Sequence, residues 1–352
     1  MEEELQLNVP LLRRRVPNLT TAAKEAGLRA ATVSNLCTGK IPVGRAEVKT
    51  LVALASLAGC SLDELIIRGS GLRMIETGIK ALDLFAPVVR GGTVGFVARP
   101  NMGQLVLLAE LMLRMKKRGF ATIFWAPHSN TPGIDHVRAQ SEFICSTQEE
   151  IHQKIVELRE EKDILIGVDR SKVLSGELLS LRENLKEVGA RPITIALVDT
   201  KGEVPDEEGA YGPLDALWKF DADLISRSIY PAIDPLASIS TVLEGPYLDA
   251  VHLAAQQRAR KLLRRYRELR SLVVTQGFDK ISDPDLQLYK KGERLEAYLA
   301  QPFYVSEPYT NVSGEWLTLY ETLEDVKRIL DGEMDSTDPS ELFFKGRLVS
   351  RT

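Results

Sequence analysis

The stretch Thr93–Glu110, TVGFVARPNMGQLVLLAE, has the layout of a phosphate cradle: an apolar strand, a tight loop and an apolar helix. A strand over Thr93–Val97 would deliver the chain to the loop Ala98–Gly103. A helix from Gln104 would turn its free amide groups back on an anion. Such a loop needs an ammonium for the terminal phosphates and a hydroxyl for magnesium, supplied by Lys and then Ser or Thr after the last glycine. Here Gly103 is followed by Gln104 and Leu105. Gln104 can donate a hydrogen bond but brings no charge. Arg99 and Pro100 crowd a backbone that glycine normally leaves open to phosphate. The frame is that of a phosphate site, and its charge is missing.

A second group of polar side chains lies near the N-terminus: Arg29, Thr32, Asn35, Lys40 and Arg45, with the run Arg13–Arg15. Arg suits guanine and Asn suits adenine, while Lys and Arg also meet phosphate without reading sequence. Helical spacing and turn signals place these residues. Thr20 or Thr21 caps a helix over Ala22–Ala26, ended by Gly27. A second helix runs over Ala30–Cys37 and stops at Gly39. Pro42 breaks the chain, a third helix follows over Arg45–Ala58, and a short turn spans Leu62–Ile66. Two short helices around a Gly-containing turn predict a helix-turn-helix.

The residues LTTAAKEAGLRAATVSNLCTGKIPVG and LVALASLAGCSLDELI resemble the repressor-type (Xre-like) DNA-binding domain. The resemblance implies duplex DNA as partner. The second helix would enter the major groove, Arg29, Ala30, Thr32 and Asn35 would face base edges, and Lys40 and Arg45 would meet phosphates. Half-site reading of this kind normally requires a dimer or larger assembly. The alternative is a helical cap that packs on the chain or binds a protein.

After a short linker at Gly69–Gly71, ETGIKALDLFAPVVRGGTVGF resembles the beta subunit of the rotary F-type ATP synthase. The resemblance recurs at SRSIYPAIDPLAS (Ser226–Ser238), LAQPFYVSEPYT (Leu299–Thr310) and KRILDGEMD (Lys327–Asp335). It implies a P-loop NTPase-like core whose phosphate lysine falls on Gln104 and whose magnesium hydroxyl falls on Leu105. Only the last loop glycine, Gly103, is kept. The catalytic glutamate and a neighbouring arginine fall on Ser129 and Asn130, so no base remains to orient water. Asp169, at the end of DILIGVD, matches the aspartate that holds magnesium through water, with Arg170 beside it as a neutralising charge. Tyr230, Phe303 and Tyr309 fall on the aromatic positions that surround adenine. They imply ATP or ADP as ligand, with reduced affinity for the triphosphate. The same three rings can instead fill a join between domains.

The remaining chain is helical. Tyr247–Val274 carries the apolar stripe Ala255, Ala259, Leu262, Leu263, Tyr266 and Leu269, and an outer face of Arg258, Arg260, Lys261, Arg264, Arg265, Arg267 and Arg270. That face reads first as a solvated one. The family's acidic lever loop would fall on DKISDPD (Asp279–Asp285), where Lys280 and Pro284 interrupt the acids. Helices over Pro284–Leu299 and Leu323–Leu330 complete a bundle.

The whole chain bounds these readings. Its 352 residues, 44% hydrophobic with formal net charge -4, predict a soluble protein of two or three domains without a generally basic coat. Cys37, Cys60 and Cys145 fit neither a metal spacing nor a disulfide framework, and a reducing cytoplasm is the expectation. No apolar run reaches the length of a membrane span. The expected architecture is multidomain: an all-α helix-turn-helix over 1–70, an α/β mostly parallel-sheet core over 71–240 and a C-terminal helical bundle over 241–352. The expected function is DNA-binding regulation on a catalytically inactive ATP synthase beta-like body. Alternatives are an ATP-binding and ATP-hydrolysing beta-type subunit, and a non-catalytic pseudo-subunit or adaptor that joins copies of itself or ATP synthase-like subunits.

Overall fold

A computed structural model describes residues 5–68, 74–127, 131–185, 192–206, 210–244 and 249–348. The chain forms two compact units, Met1–Met74 with Thr241–Asp249, and Ile75–Ser240 with Ala250–Thr352. From Ala250 onward, the C-terminal helices expected as a separate domain therefore belong to the same unit as the sheet.

The first unit is built of α1 (Val9–Arg15), α2 (Leu19–Glu25), α3 (Ala30–Cys37), α4 (Val48–Ala58) and α5 (Leu62–Leu65). Strands β1 (Leu5–Leu7) and β2 (Ile66–Arg68) pair antiparallel. Leu12, Ala23, Val33, Leu36, Leu51, Leu54 and Leu65 form its core, at the helical spacing visible in the sequence. Helix α2 starts earlier than the threonine caps suggest, because the Asn18 carbonyl already accepts the Thr21 and Ala22 amides. Helix α4 starts later than expected. Arg45 sits in a separate short turn, Val43–Arg45, after Pro42, and Glu47 is the residue before the helix. Ser61 and Glu64 close a reciprocal cap on α5.

The second unit opens with α6 (Lys80–Phe85), β3 (Thr93–Val97) and α7 (Gln104–Lys117), followed by β4 (Ala121–Trp125), α8 (Ile134–Gln140), β5 (Phe143–Cys145) and α9 (Gln148–Leu158). Next come β6 (Ile164–Asp169), α10 (Ser171–Leu174), α11 (Glu177–Asn184), β7 (Ile193–Val198), β8 (Ala216–Lys219), α12 (Ala222–Ser226) and β9 (Ile239–Ser240). The strands form one seven-stranded sheet in the order β9-β8-β3-β7-β6-β4-β5. All neighbours are parallel except the β9–β8 pair.

Alternation along the strands sends residues to opposite faces. Phe124, Leu165, Ala196 and Val198 pack with α7 through Leu108, Leu111 and Met112. Ile123, Trp125, Ile166 and Leu197 pack with α9 and α11 through Ile151, Ile155 and Leu181. The near-continuous apolar strands follow from burial on both faces. From β3 the chain passes over β7 and β6 to reach β4, which makes the C-terminal end of β3 the switch point of the sheet. In open α/β sheets, that is where a ligand crevice forms.

Helices α13 (Ala250–Gln276), α14 (Asp283–Leu299), α15 (Glu307–Thr310) and α16 (Leu319–Asp331) complete this unit. Ala259, Leu262 and Leu263 of α13 meet Leu295 and Tyr298 of α14, Val326 and Ile329 of α16, and Leu84 and Phe85 of α6. A side chain at Gly292 would strike Tyr266, 2.3 Å away, so glycine permits the close approach of α14 to α13.

The basic face of α13 is largely solvated, as expected, but most of its arginines also have partners. Arg258 pairs with Asp331 at 2.6 Å, Arg265 with Asp285 at 2.8 Å, and Arg270 with Asp223 at 2.5 Å. Arg267 clamps Asp234 with two bonds of 2.9 and 3.2 Å. Arg260 donates to the carbonyls of Ser238 and Phe85. These five arginines contact their own unit, and Arg258, Lys261, Arg264 and Arg267 are exposed to solvent.

Candidate functional site

Strand β3 leads into the loop Ala98–Gly103, and α7 begins at Gln104, as the sequence spacing predicts. The loop turns on two residues of positive φ, Asn101 at 63° and Gly103 at 88°. Its interior is occupied by its own side chains. The Arg99 amide donates to the Met102 sulfur at 3.1 Å, and the Met102 amide donates to Gln104 Oε1 at 3.2 Å. Gln104 is 5% exposed. One amide of the loop is thus bonded to the side chain of the first residue of α7.

Leu105, at the hydroxyl position, belongs to the apolar core of α7. A side chain at Gly133 would lie 3.6 Å from Leu105 Cδ1, which sets the start of α8 beside the first turn of α7. Outside the loop, the Arg99 guanidinium grips Asp206 with bonds of 2.8 and 3.1 Å. Pro100 lies against Gly202, where a side chain would come within 2.4 Å. The loop is therefore clasped to the segment that follows β7.

The carboxylates at the strand ends are also committed. Asp169 accepts the Ser171 amide at 2.9 Å and the Thr200 amide at 3.1 Å. Asp199 accepts the amides of Lys201, Glu203 and Val204 at 2.5–2.9 Å. Arg170 Nη1 lies 3.8 Å from Asp199 and 3.6 Å from Glu203. Among the described residues, no group of three or more His, Cys, Asp or Glu side chains is arranged to hold a metal ion. These residues do not fit magnesium: the expected hydroxyl position holds a core leucine, and both oxygens of the aspartate accept amides, one from the turn after β6 and one from the segment after β7. Ser129 and Asn130 lie outside the described residues.

The three aromatic positions have three different settings. Phe303 is a core residue of the α7 side of the sheet. Tyr230 is 39% exposed and its carbonyl accepts the Gln301 amide at 2.8 Å. Tyr309 is 72% exposed and sets its ring edge-on to His136, with centroids 6.0 Å apart.

In the first unit, α2 and α3 are joined by Ala26–Arg29, with Gly27 at φ 75°. Val33 and Leu36 bury one face of α3. Arg29, Lys40 and Arg45 are exposed, and Thr32 and Asn35 are half-buried. Arg15, expected with Arg13 at phosphates, instead donates to the carbonyls of Gly59 at 2.8 Å and Ala58 at 3.3 Å, closing the end of α4.

Glu110 and Arg114 were missed from the sequence. On α7, Glu110 Oε1 meets Arg114 Nε at 2.6 Å with both side chains fully buried. The available signal was an acid and a base four residues apart in an otherwise apolar helix.

No protein family's sequence profile matches the chain. Among solved structures, the fold is similar to that of a unique ATP synthase subunit, NeqB, from Nanoarcheaum equitans, with a TM-score of 0.56 and 19% identity. The match covers 74% of this chain and 76% of that one. At that identity the likeness is one of fold. No helix among the described residues is long and apolar enough to cross a membrane.

Proposed function

We propose that the second unit is a non-hydrolysing counterpart of an ATP synthase subunit, a pseudo-subunit that assembles with ATP synthase-like subunits or with its own copies rather than turning over ATP. The observation that carries this reading is the loop Ala98–Gly103 closed on Met102 and Gln104, with Leu105 in the core. A buried leucine and a neutral amide give a transferring phosphoryl group no positive charge, and phosphoryl transfer depends on that charge for stabilisation. The likeness of fold to NeqB supports the assembly half of the reading. ATP or ADP would bind weakly and without magnesium.

The test is phosphate release from MgATP by the purified chain, with sedimentation of the chain alone and with ATP synthase-like subunits. The reading expects no turnover above background and a sedimenting complex. Turnover that disappears in Asp169→Asn would replace it with the enzyme reading.

A second reading concerns the first unit and is compatible with the first. Helices α2 and α3 around the Gly27 turn leave Arg29, Lys40 and Arg45 exposed beside Thr32 and Asn35, which suits docking of α3 in a major groove. Duplex DNA is then the partner, and assembly through the second unit would supply the paired half-site reading that one copy lacks. Selection from random duplexes with the whole chain tests this. An enriched motif supports it, and none at moderate salt rejects it.

A further inference from the structure

The segment after Phe303 leaves α7 and returns to it at one place. On the way out, the amides of Tyr304 and Val305 donate to the two oxygens of Glu110, at 3.1 and 3.0 Å. On the way back, the Glu315 carbonyl accepts Arg114 Nη2 at 2.7 Å and Gln301 Nε2 at 2.7 Å. Both feet thus rest on one fully buried ion pair of α7. Between the feet the strands of the crossing touch: a side chain at Gly314 would come within 2.4 Å of the Tyr304 amide nitrogen. Arg114 and Lys117 lie over the Tyr304 ring at 5.0 and 4.1 Å, and Arg114 also lies 5.5 Å from the Trp316 ring. Close ends and a self-packed excursion define an Ω-loop.

The excursion holds itself together. The Glu307 carboxylate accepts the Gly314 amide at 2.6 Å and the Ser313 hydroxyl at 3.1 Å. The Asn311 amide donates to the Glu307 carbonyl, and the Thr310 hydroxyl to the Ser306 carbonyl, each at 3.0 Å. Its tip reaches away from the feet to α8, where Tyr309 meets His136 in the first turn of that helix. That turn stands beside Leu105. The excursion therefore bridges from the Glu110–Arg114 pair of α7 to the first turn of α8. Pro308, Tyr309, Thr310, Asn311, Val312 and Ser313 are all exposed.

We infer that Ser306–Ser313 is a rigid flap, hinged where Gly314 crosses Tyr304 and latched by Tyr309 against His136, which swings on and off the first turn of α8. The feet are fixed by buried charge, the body by Glu307, and the tip by one ring edge. The contact that is weakest and most exposed governs the position of the flap. Movement takes the form of a swing about the crossing, with the internal bonds of the flap intact. Tyr309→Ala would shift the closed-to-open ratio by about tenfold, the scale of one lost aromatic edge contact.

Nitroxide labels at Asn311→Cys on the flap and Ala139→Cys on α8, in a chain lacking Cys37, Cys60 and Cys145, report the distance distribution by electron–electron resonance. Hydrogen exchange reports whether the flap keeps its bonds. The expected result is a longer-distance population in Tyr309→Ala and in His136→Ala, while the Tyr304, Val305, Asn311 and Gly314 amides keep their protection. Glu307→Gln supplies the contrast, with Gly314 exchanging about tenfold faster as the flap loses its own bond. An unchanged distance distribution in both latch variants overturns the inference. So does loss of protection at Asn311 and Gly314 together with the feet in Tyr309→Ala, because the segment would then be unfolding rather than swinging.

Discussion

Glu110 and Arg114, one turn apart on α7, meet at 2.6 Å with no solvent exposure of either side chain. The pair has few unused atoms: Arg114 also donates to the Gly78 carbonyl at 2.8 Å, and Glu110 holds the backbone after Phe303. Removing one partner leaves an uncompensated buried charge, whereas removing both leaves no buried charge but strips partners from the Tyr304 and Val305 amides and the Gly78 and Glu315 carbonyls. Glu110→Leu or Arg114→Leu alone is expected to destabilise the chain by about 3–5 kcal/mol, and the double variant by clearly less than the sum. Urea unfolding of the four proteins in the cycle measures this. Additive losses would mean that the two residues act separately.

Placing a lysine and a hydroxyl after Gly103 is not expected to confer turnover. Leu105→Ser replaces a core side chain by a hydroxyl facing Gly133 and the α7 interior. The expected cost is about 2–5 kcal/mol. The double variant Gln104→Lys with Leu105→Ser is expected to be less stable still and to release no phosphate from MgATP. Calorimetric melting and a phosphate-release assay give both readings. Turnover by the double variant would show that the loop frame alone decides the chemistry.

Two buried ionisable groups on α6 act in opposite pH windows. Burial lowers Lys80 to about 7 against the attraction of Asp325 and Glu315, although its Nζ donates to the carbonyls of Tyr298, Ala300 and Lys345. Burial raises Asp83 to about 7 against the bonds it accepts from Thr77 and Gly78. Between pH 3.8 and about 7, the folded chain holds the Asp83 proton and the unfolded chain has lost it, so this group makes stability fall as pH rises. Between about 7 and 10.5, the unfolded chain holds the Lys80 proton and the folded chain has lost it, so stability rises with pH. Each slope approaches about 1.4 kcal/mol per pH unit. The stability curve against pH should lose the acid limb in Asp83→Asn and the alkaline limb in Lys80→Met, so that the difference from the unaltered chain carries that slope. A flat difference curve for either variant would refute its part.

The DNA reading divides its residues by role. Arg29→Ala or Asn35→Ala should weaken binding to the selected duplex by about 1–3 kcal/mol and relax preference at one base. Lys40→Ala should weaken all duplexes alike and reduce the salt slope by about one. Fluorescence anisotropy titrations at several salt concentrations separate the two. Equal effects of all three changes on every sequence would reduce α3 to a phosphate-binding helix.

Local signals in the sequence reached far. The strand Thr93–Val97, the helix start at Gln104 and the full span of α3 follow from apolar spacing and from Gly or Pro at the ends. The losses at Gln104 and Leu105 were legible because a phosphate loop specifies residue types at fixed positions. Partnerships between distant segments were not legible. Nothing at Arg267 points to Asp234, and nothing at Arg99 points to Asp206, because an ion pair leaves no periodic trace along the chain. The Tyr309 contact with His136 was hidden for the same reason, being set by where an Ω-loop happens to reach. The start of α2 was not legible because it is set by the Asn18 backbone carbonyl and not by a capping side chain.

Met102, Gln104 and Leu105 together make the loop hard to reverse. A lysine at 104 would bring an ammonium into a space already walled by a thioether and a leucine, and a serine at 105 would open a hole in the core before any metal could reward it. Each single change toward a charged loop therefore removes packing by itself, before a second could add a phosphate contact. Closing the turn and filling the core are thus one task here, carried by three consecutive side chains around Gly103.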